Sequence, residues 1–180
     1  GKSDAFYLRV QKLSGDIRTN PLLLSQLAII YDKRDDIPQT AVGIYDAVCE
    51  ITFSRDDVAG IPAEYCDMVT RRLSGILKAF SAERYRLISR GKQVDSVKIL
   101  SAVLKNTYDD AKERAIFLEE YLRDRAMIID GEFYHKMLLE YFTAVHYYEN
   151  CFNDYDELVD EATLKELFSH YNDRYWSSVL

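Results

Sequence analysis

Apolar residues recur at three- and four-residue intervals along most of this chain, the spacing that lines one face of a helix. Ser3 can cap a first helix over about 4–13, with Phe6, Leu8, Val10 and Leu13 as its apolar positions and Gly15 as its stop. Asn20-Pro21 opens the next. Asn is a favoured N-cap, and proline suits the first helical position because the N–H it lacks would be unpaired there anyway. Leu22, Leu23, Leu24, Leu27, Ala28, Ile29, Ile30 and Tyr31 follow, apolar on almost every side, so this helix is expected at the centre of a core. Lys33-Arg34-Asp35-Asp36 reads as a solvated turn. Ile37-Pro38 then opens a third helix to about residue 55, with Val42, Tyr45, Val48, Cys49, Thr52 and Phe53 on its inner side.

Asp56-Asp57 and Gly60-Ile61-Pro62 mark a boundary. A helix follows to about Phe80. Residues 81–93, with Arg84, Arg86, Arg90 and Lys92, read as a polar, basic, solvated stretch. Asp95 caps a helix bearing Val97, Leu100, Val103 and Leu104, and Asp109 or Asp110 begins another with Ala111, Ala115, Leu118, Tyr121 and Leu122. Ala126-Met127-Ile128-Ile129 reads as a strand, Asp130-Gly131 as a two-residue hairpin turn, and Glu132-Phe133-Tyr134 as the return strand. Helices and then a hairpin is the order of a winged-helix module. A further helix carries Met137, Leu138, Tyr141, Phe142 and Val145 to about Glu149, and residues 150–156 form a loop. Thr163 and Glu166 can form a capping box for a helix through Tyr171, and Arg174-Tyr175-Trp176 starts an element that is cut short at Leu180. The expected fold is mainly α: a helical bundle subdomain, then a winged-helix module with one short β-hairpin.

Composition agrees with that picture. Seven Gly and three Pro are few for 180 residues, which favours long helices over many hairpins. With 48% apolar and 29% charged residues the chain can bury a core. Fourteen Tyr against one Trp suggests rings that pack while their hydroxyls stay wet, as at subdomain or partner surfaces. The balance of 23 basic to 30 acidic residues, a net −7, weighs against a general nucleic-acid binder, whose affinity comes mostly from neutralising phosphates. Cys49, Cys66 and Cys151 are odd in number and show no C-x-x-C spacing, so neither a zinc site nor a disulfide framework is signalled. No apolar run reaches membrane-spanning length, and the N-terminus lacks the pattern of a signal peptide. A cytoplasmic location is expected.

The segment from Gly131 to Ala144 carries the clearest candidate chemistry. It runs from a short strand into an amphipathic helix with His135 at the junction. A helix start exposes N–H groups and a partly positive end, which suits an anion, and a histidine there can donate a further hydrogen bond to a phosphate. The same residues also suit a half-buried histidine in a helix first turn. Lys136 follows directly and is either a second phosphate contact or solvated; Glu140 stands four residues on, as its i,i+4 partner. His146 and His170 lie on helices without the Cys, Ser or Asp pairing of a triad or metal site.

Three segments together resemble one family. Asn20-Pro21-Leu22-Leu23-Leu24, followed by Ile29-Ile30-Tyr31, a charged turn, Ile37-Pro38 and Ile44-Tyr45, is similar to the first helical subdomain of NACHT-type NTPases, members of the STAND class of signalling switches. Phe133-Tyr134-His135 through Glu140-Tyr141-Phe142-Thr143-Ala144 resembles that family's winged-helix subdomain, and Asp173-Arg174-Tyr175-Trp176 the start of the helical region after it. Leu139 stands where the family commonly has a polar residue. The resemblance implies a first helical subdomain over 1–57, a winged-helix subdomain over 58–149 and the start of a second helical region over 150–180. It implies that the Pro21 ring lies against adenine and that His135 hydrogen-bonds the β-phosphate of ADP, holding a closed, inactive form. It implies, for the full-length protein, ATP or ADP with Mg²⁺, a P-loop NTPase domain of the same polypeptide, ATPase activity, a role in innate immunity or defence, and homo-oligomerisation on activation.

A NACHT ATPase needs a glycine-rich loop ending in Lys and Ser or Thr, and an acidic strand for Mg²⁺. Gly1-Lys2-Ser3 spells the end of such a loop, but no acidic apolar strand follows it. This chain is therefore expected not to hydrolyse ATP or hold nucleotide firmly by itself. Two other readings stand beside this one. A winged-helix DNA binder would present a basic recognition helix, whereas the candidate over 109–125 carries six acidic residues against four basic ones. A helical interaction scaffold without nucleotide would suit the many tyrosines.

Overall fold

A computed structural model describes residues 1–19, 21–53, 60–125, 127–129, 131–133 and 136–180, apart from the side chains of Asp16, Leu22, Thr52 and Phe53. The protein is mainly helical, with one short antiparallel β-hairpin. It divides into two compact units, Gly1–Gly60 and Ile61–Leu180.

The first unit comprises α1 (Lys2–Val10), α2 (Gly15–Arg18), α3 (Pro21–Arg34) and α4 (Ala41–Phe53). Gly15, expected to end a helix, instead begins the short α2. Helix α3 starts at Pro21 as the Asn-Pro pair predicts; Asn20 lies outside the described residues. It is one-sided rather than apolar all round: Leu23, Leu27, Ile30 and Tyr31 are buried with Gln26, but Ile29 is 55% exposed. Lys33 and Arg34 fall in its last turn, where basic side chains favour the helix C-terminus. The turn follows at Asp35, whose φ of 53° is left-handed. Ile44, Tyr45 and Ala47 of α4 face the same core as Leu27 and Ile30, while Val42 is exposed.

The second unit holds α5 (Ala63–Asp67), a π-helical turn (Met68–Arg72), α6 (Leu73–Ser89), α7 (Ser96–Leu104), α8 (Ala111–Asp124), β1 (Ile128–Ile129), β2 (Glu132–Phe133), α9 (Lys136–Cys151) and α10 (Glu161–Ser169). The largest correction concerns residues 81–93. Over 81–89 they are not a solvated stretch: α6 continues to Ser89, and Ser81, Ala82, Arg84 and Tyr85 are buried, whereas Arg90, Gly91, Lys92 and Gln93 are exposed as expected. The reason is visible in the spacing. Leu73, Leu77, Phe80, Arg84 and Leu87 recur every three or four residues, and Arg84 occupies an inward position of that stripe. Helix α6 packs along α9 and against α7, and α7 packs along α8, so Phe80, Leu100, Leu104, Leu118 and Phe142 share one core.

Asp95 caps α7 as expected, its carboxylate accepting from the Lys98 N–H at 3.0 Å. Asp110 precedes α8, but its carboxylate takes the Arg114 Nε–H at 2.6 Å instead of a backbone N–H. The hairpin pairs Ile128 with Phe133 and Ile129 with Glu132, two residues from each strand. Gly131 turns it at φ 74°, a conformation that glycine adopts without a Cβ penalty. Asp130 and Tyr134 of the expected turn and return strand lie outside the described residues. The cap of α10 is Asp160, which accepts from Ala162 and Thr163 N–H, so the helix starts earlier than the Thr163–Glu166 box implied. Residues 170–180 form turns that place Trp176 at 0% exposure.

Candidate functional site

Pro21 is the first residue of α3 and is exposed, so its ring edge is open to a ligand in the first unit. His135 lies outside the described residues. Lys136 is the first residue of α9 in the second unit. Its ammonium sits 2.7 Å from Oε1 of Glu140 and 5.3 Å from the centre of the Tyr175 ring. The Glu140 hydrogen bond holds the lysine above its usual pKa range, so it stays charged, with that charge already matched. Glu140 Oε1 also accepts the Ser178 hydroxyl at 2.6 Å. The i,i+4 role read for Glu140 is the one it fills.

The hairpin that leads into α9 is held by groups that sequence reading placed elsewhere. Arg84, 1% exposed, reaches from α6 with Nη2 2.6 Å from Oε1 of Glu132 on β2. Its Nη1 donates to the Ser96 hydroxyl at 3.0 Å, and that hydroxyl donates to the Gly131 carbonyl at 2.6 Å. Arg84 Nε has no hydrogen-bond partner among the described residues. Phe133, next along β2, packs against Phe80 and Phe142 with ring centres 5.7 and 6.2 Å away. Three consecutive residues, Gly131, Glu132 and Phe133, are thus tied to α6, α7 and α9. The signal that could have found Arg84 was the unbroken Leu77–Phe80–Arg84–Leu87 spacing.

Beside this junction lies an open groove of about 670 Å³. Asp95, Glu119 and Glu132 line it with Lys98, Ser96 and Gly131, so its charge is acidic on balance. A second groove, about 390 Å³, lies between α6, α9 and α10 and is lined by Glu83, Arg86, His146, Tyr147, Asn150 and Glu166. Arg86 forks onto Glu83 there at 2.7–2.9 Å. Burial holds the His146 imidazole below its usual pKa and pushes the Tyr147 phenol up to about 12. Among the described residues no group of three or more His, Cys, Asp or Glu could hold a metal ion. Cys49, Cys66 and Cys151 are thiols, not disulfides, and burial pushes the Cys151 thiol up, away from nucleophilic chemistry. Nor is any described helix long and apolar enough to cross a membrane.

No family model, curated protein or solved structure matches the chain. The site must therefore be judged on its own residues. They offer hydrogen-bond donors and charge, but no nucleophile–base pair and no metal-ligand set among those described.

Proposed function

We propose that this chain is the regulatory helical and winged-helix part of a NACHT-type ATP/ADP-dependent signalling switch. In this reading it closes over nucleotide held by a P-loop domain of the same cytoplasmic polypeptide and so controls homo-oligomerisation. One observation carries the proposal: three segments that resemble the family follow one another in its order, around Pro21, around His135 and around Trp176. The structure is compatible at several points. Pro21 is exposed at a helix start, as an adenine contact must be. Helices α6, α7 and α8 precede the hairpin, the order of a winged helix. Pro21 supplies the adenine contact, His135 the β-phosphate hydrogen bond, and Lys136 a secondary phosphate contact shared with Glu140. ADP holds the inactive form, because a ligand that binds one state better draws the population to it.

The DNA-binding alternative is disfavoured by α8, the candidate recognition helix. Its Arg114 is tied to Asp110 and to the Glu64 carbonyl, and Arg123 to Glu119 and Glu120. Arg125, just beyond, lies 3.6 Å from the centre of the Tyr121 ring. A saturable gel shift at low salt would favour that reading instead. The scaffold alternative separates from the switch by nucleotide.

The test is ADP retention by the full-length protein before and after His135→Ala. A lost hydrogen bond to a charged phosphate is worth about tenfold or more in affinity, and the variant should shift toward the oligomer. Unchanged retention would remove the sensing role. A glycine-rich loop encoded roughly 150–250 residues upstream, one α/β domain away, would support the family; its absence would favour the scaffold.

A further inference from the structure

We infer that Arg84 is a positioning residue: a buried cation whose role is to fix the β-hairpin, and through it the start of α9, rather than to stabilise the fold. Its purpose rests on the nucleotide reading, since the chain passes directly from this hairpin through Tyr134-His135 into α9. The anchor itself rests on geometry alone.

A hairpin with two paired residues in each strand cannot hold itself in water, so something outside it must set its place. The aromatic contacts of Phe133 supply adhesion, but apolar contacts are non-directional and tolerate sliding. Direction comes from the polar set. The guanidinium presents fixed, planar donors, one to Glu132 and one to the Ser96 hydroxyl, which in turn donates a hydrogen bond to the Gly131 carbonyl. Gly131 can approach because it lacks a Cβ; an added one would sit 3.3 Å from the Ser96 hydroxyl oxygen.

Burying an arginine is costly, and replacing a buried ion pair by apolar atoms of similar volume is often neutral or stabilising. Such a residue is better explained by specificity than by stability. The pair is also lopsided: the Arg84 side chain is 1% exposed and that of Glu132 69%. Removing Arg84 leaves a carboxylate that water can solvate. Removing the carboxylate strands a buried cation. The two substitutions should therefore act alike on the hairpin and oppositely on the fold.

Amide order parameters and thermal melts of this chain test the idea on Arg84→Met, Arg84→Lys and Glu132→Ala. Arg84→Met should lower the order of Glu132 and Phe133 from about 0.85 to below about 0.6, with α7 and α8 unchanged and the melting temperature unchanged or raised. Arg84→Lys should restore part of the order. Glu132→Ala should loosen the same hairpin but melt well below the parent. Should Glu132→Ala fail to fold, Glu132→Gln, which keeps an acceptor, should give a smaller loss of order. Hairpin order unchanged in Arg84→Met would overturn the proposal, as would a fall shared equally by α7 and α8. The nucleotide reading fails separately: unchanged ADP retention in His135→Ala, with hairpin order intact, removes the ligand and leaves the anchor standing.

Discussion

His146 is held neutral by burial, and that makes it a source of acid sensitivity in the second unit. Desolvation lowers its pKa from the ordinary 6.5, Lys78 lowers it further, and Glu149 opposes both. The ring Nδ1 lies 3.4 Å from the Asn150 amide nitrogen and the ring meets Tyr147, and Glu83, Arg86 and Glu166 line the same groove. With the folded value depressed, the unfolded chain takes up the proton first as pH falls. Stability from this residue is thus intact above about pH 6.5 and is lost as pH drops from there through the folded value. Thermal melts of the parent and His146→Gln across that range should diverge below about pH 6.5, the parent falling faster; parallel curves would rule the residue out. Sequence alone showed a histidine on a helix without catalytic partners. It could not show the burial, which depends on α6 and α10 meeting α9 far along the chain.

At the scale of elements, the legible parts were those with a local cause. Pro21 marked the start of α3, Asp95 the cap of α7 and Gly131 the hairpin turn, because each depends on residues within a few positions. Residues 81–89 were misread because their charge was counted before their spacing. The burial of Trp176 was not legible, since nothing nearby in the sequence reveals what buries an indole. In the structure its ring stacks on His170 at 4.3 Å and meets Tyr85 and Tyr147 edge-on. The Tyr85 hydroxyl donates to the Tyr175 carbonyl, and Ser178 donates to Glu140. These turns have no helix of their own, so the indole must hold them against α6 and α9. Trp176→Ala should cost about 3–5 kcal/mol, the usual penalty for emptying a large aromatic site. Urea unfolding followed by circular dichroism measures it. A cost near zero would mean that residues 170–180 are not docked in solution. Trp176→Phe should recover much of the loss, because the indole N–H has no hydrogen-bond partner to lose among the described residues.

Across the whole molecule, Gly1–Gly60 and Ile61–Leu180 differ in what they can bury. The first unit has a small core around Leu27, Ile30, Ile44 and Tyr45. A domain of that length hides only about 60% of its unfolded surface and is marginal by itself. The longer unit collects Met68, Leu77, Phe80, Leu100, Leu118, Phe142 and Trp176 into one core, with the anchored hairpin on it. Residues 61–180 expressed alone should therefore fold, giving amide spectra that overlay the matching resonances of the whole chain and a single cooperative melt. Residues 1–60 alone should melt far lower or remain unfolded. A disordered 61–180 fragment would show that the first unit is required to complete its core. That result would also count against the proposed switch, since a subdomain that moves with nucleotide state must keep its own structure in both arrangements.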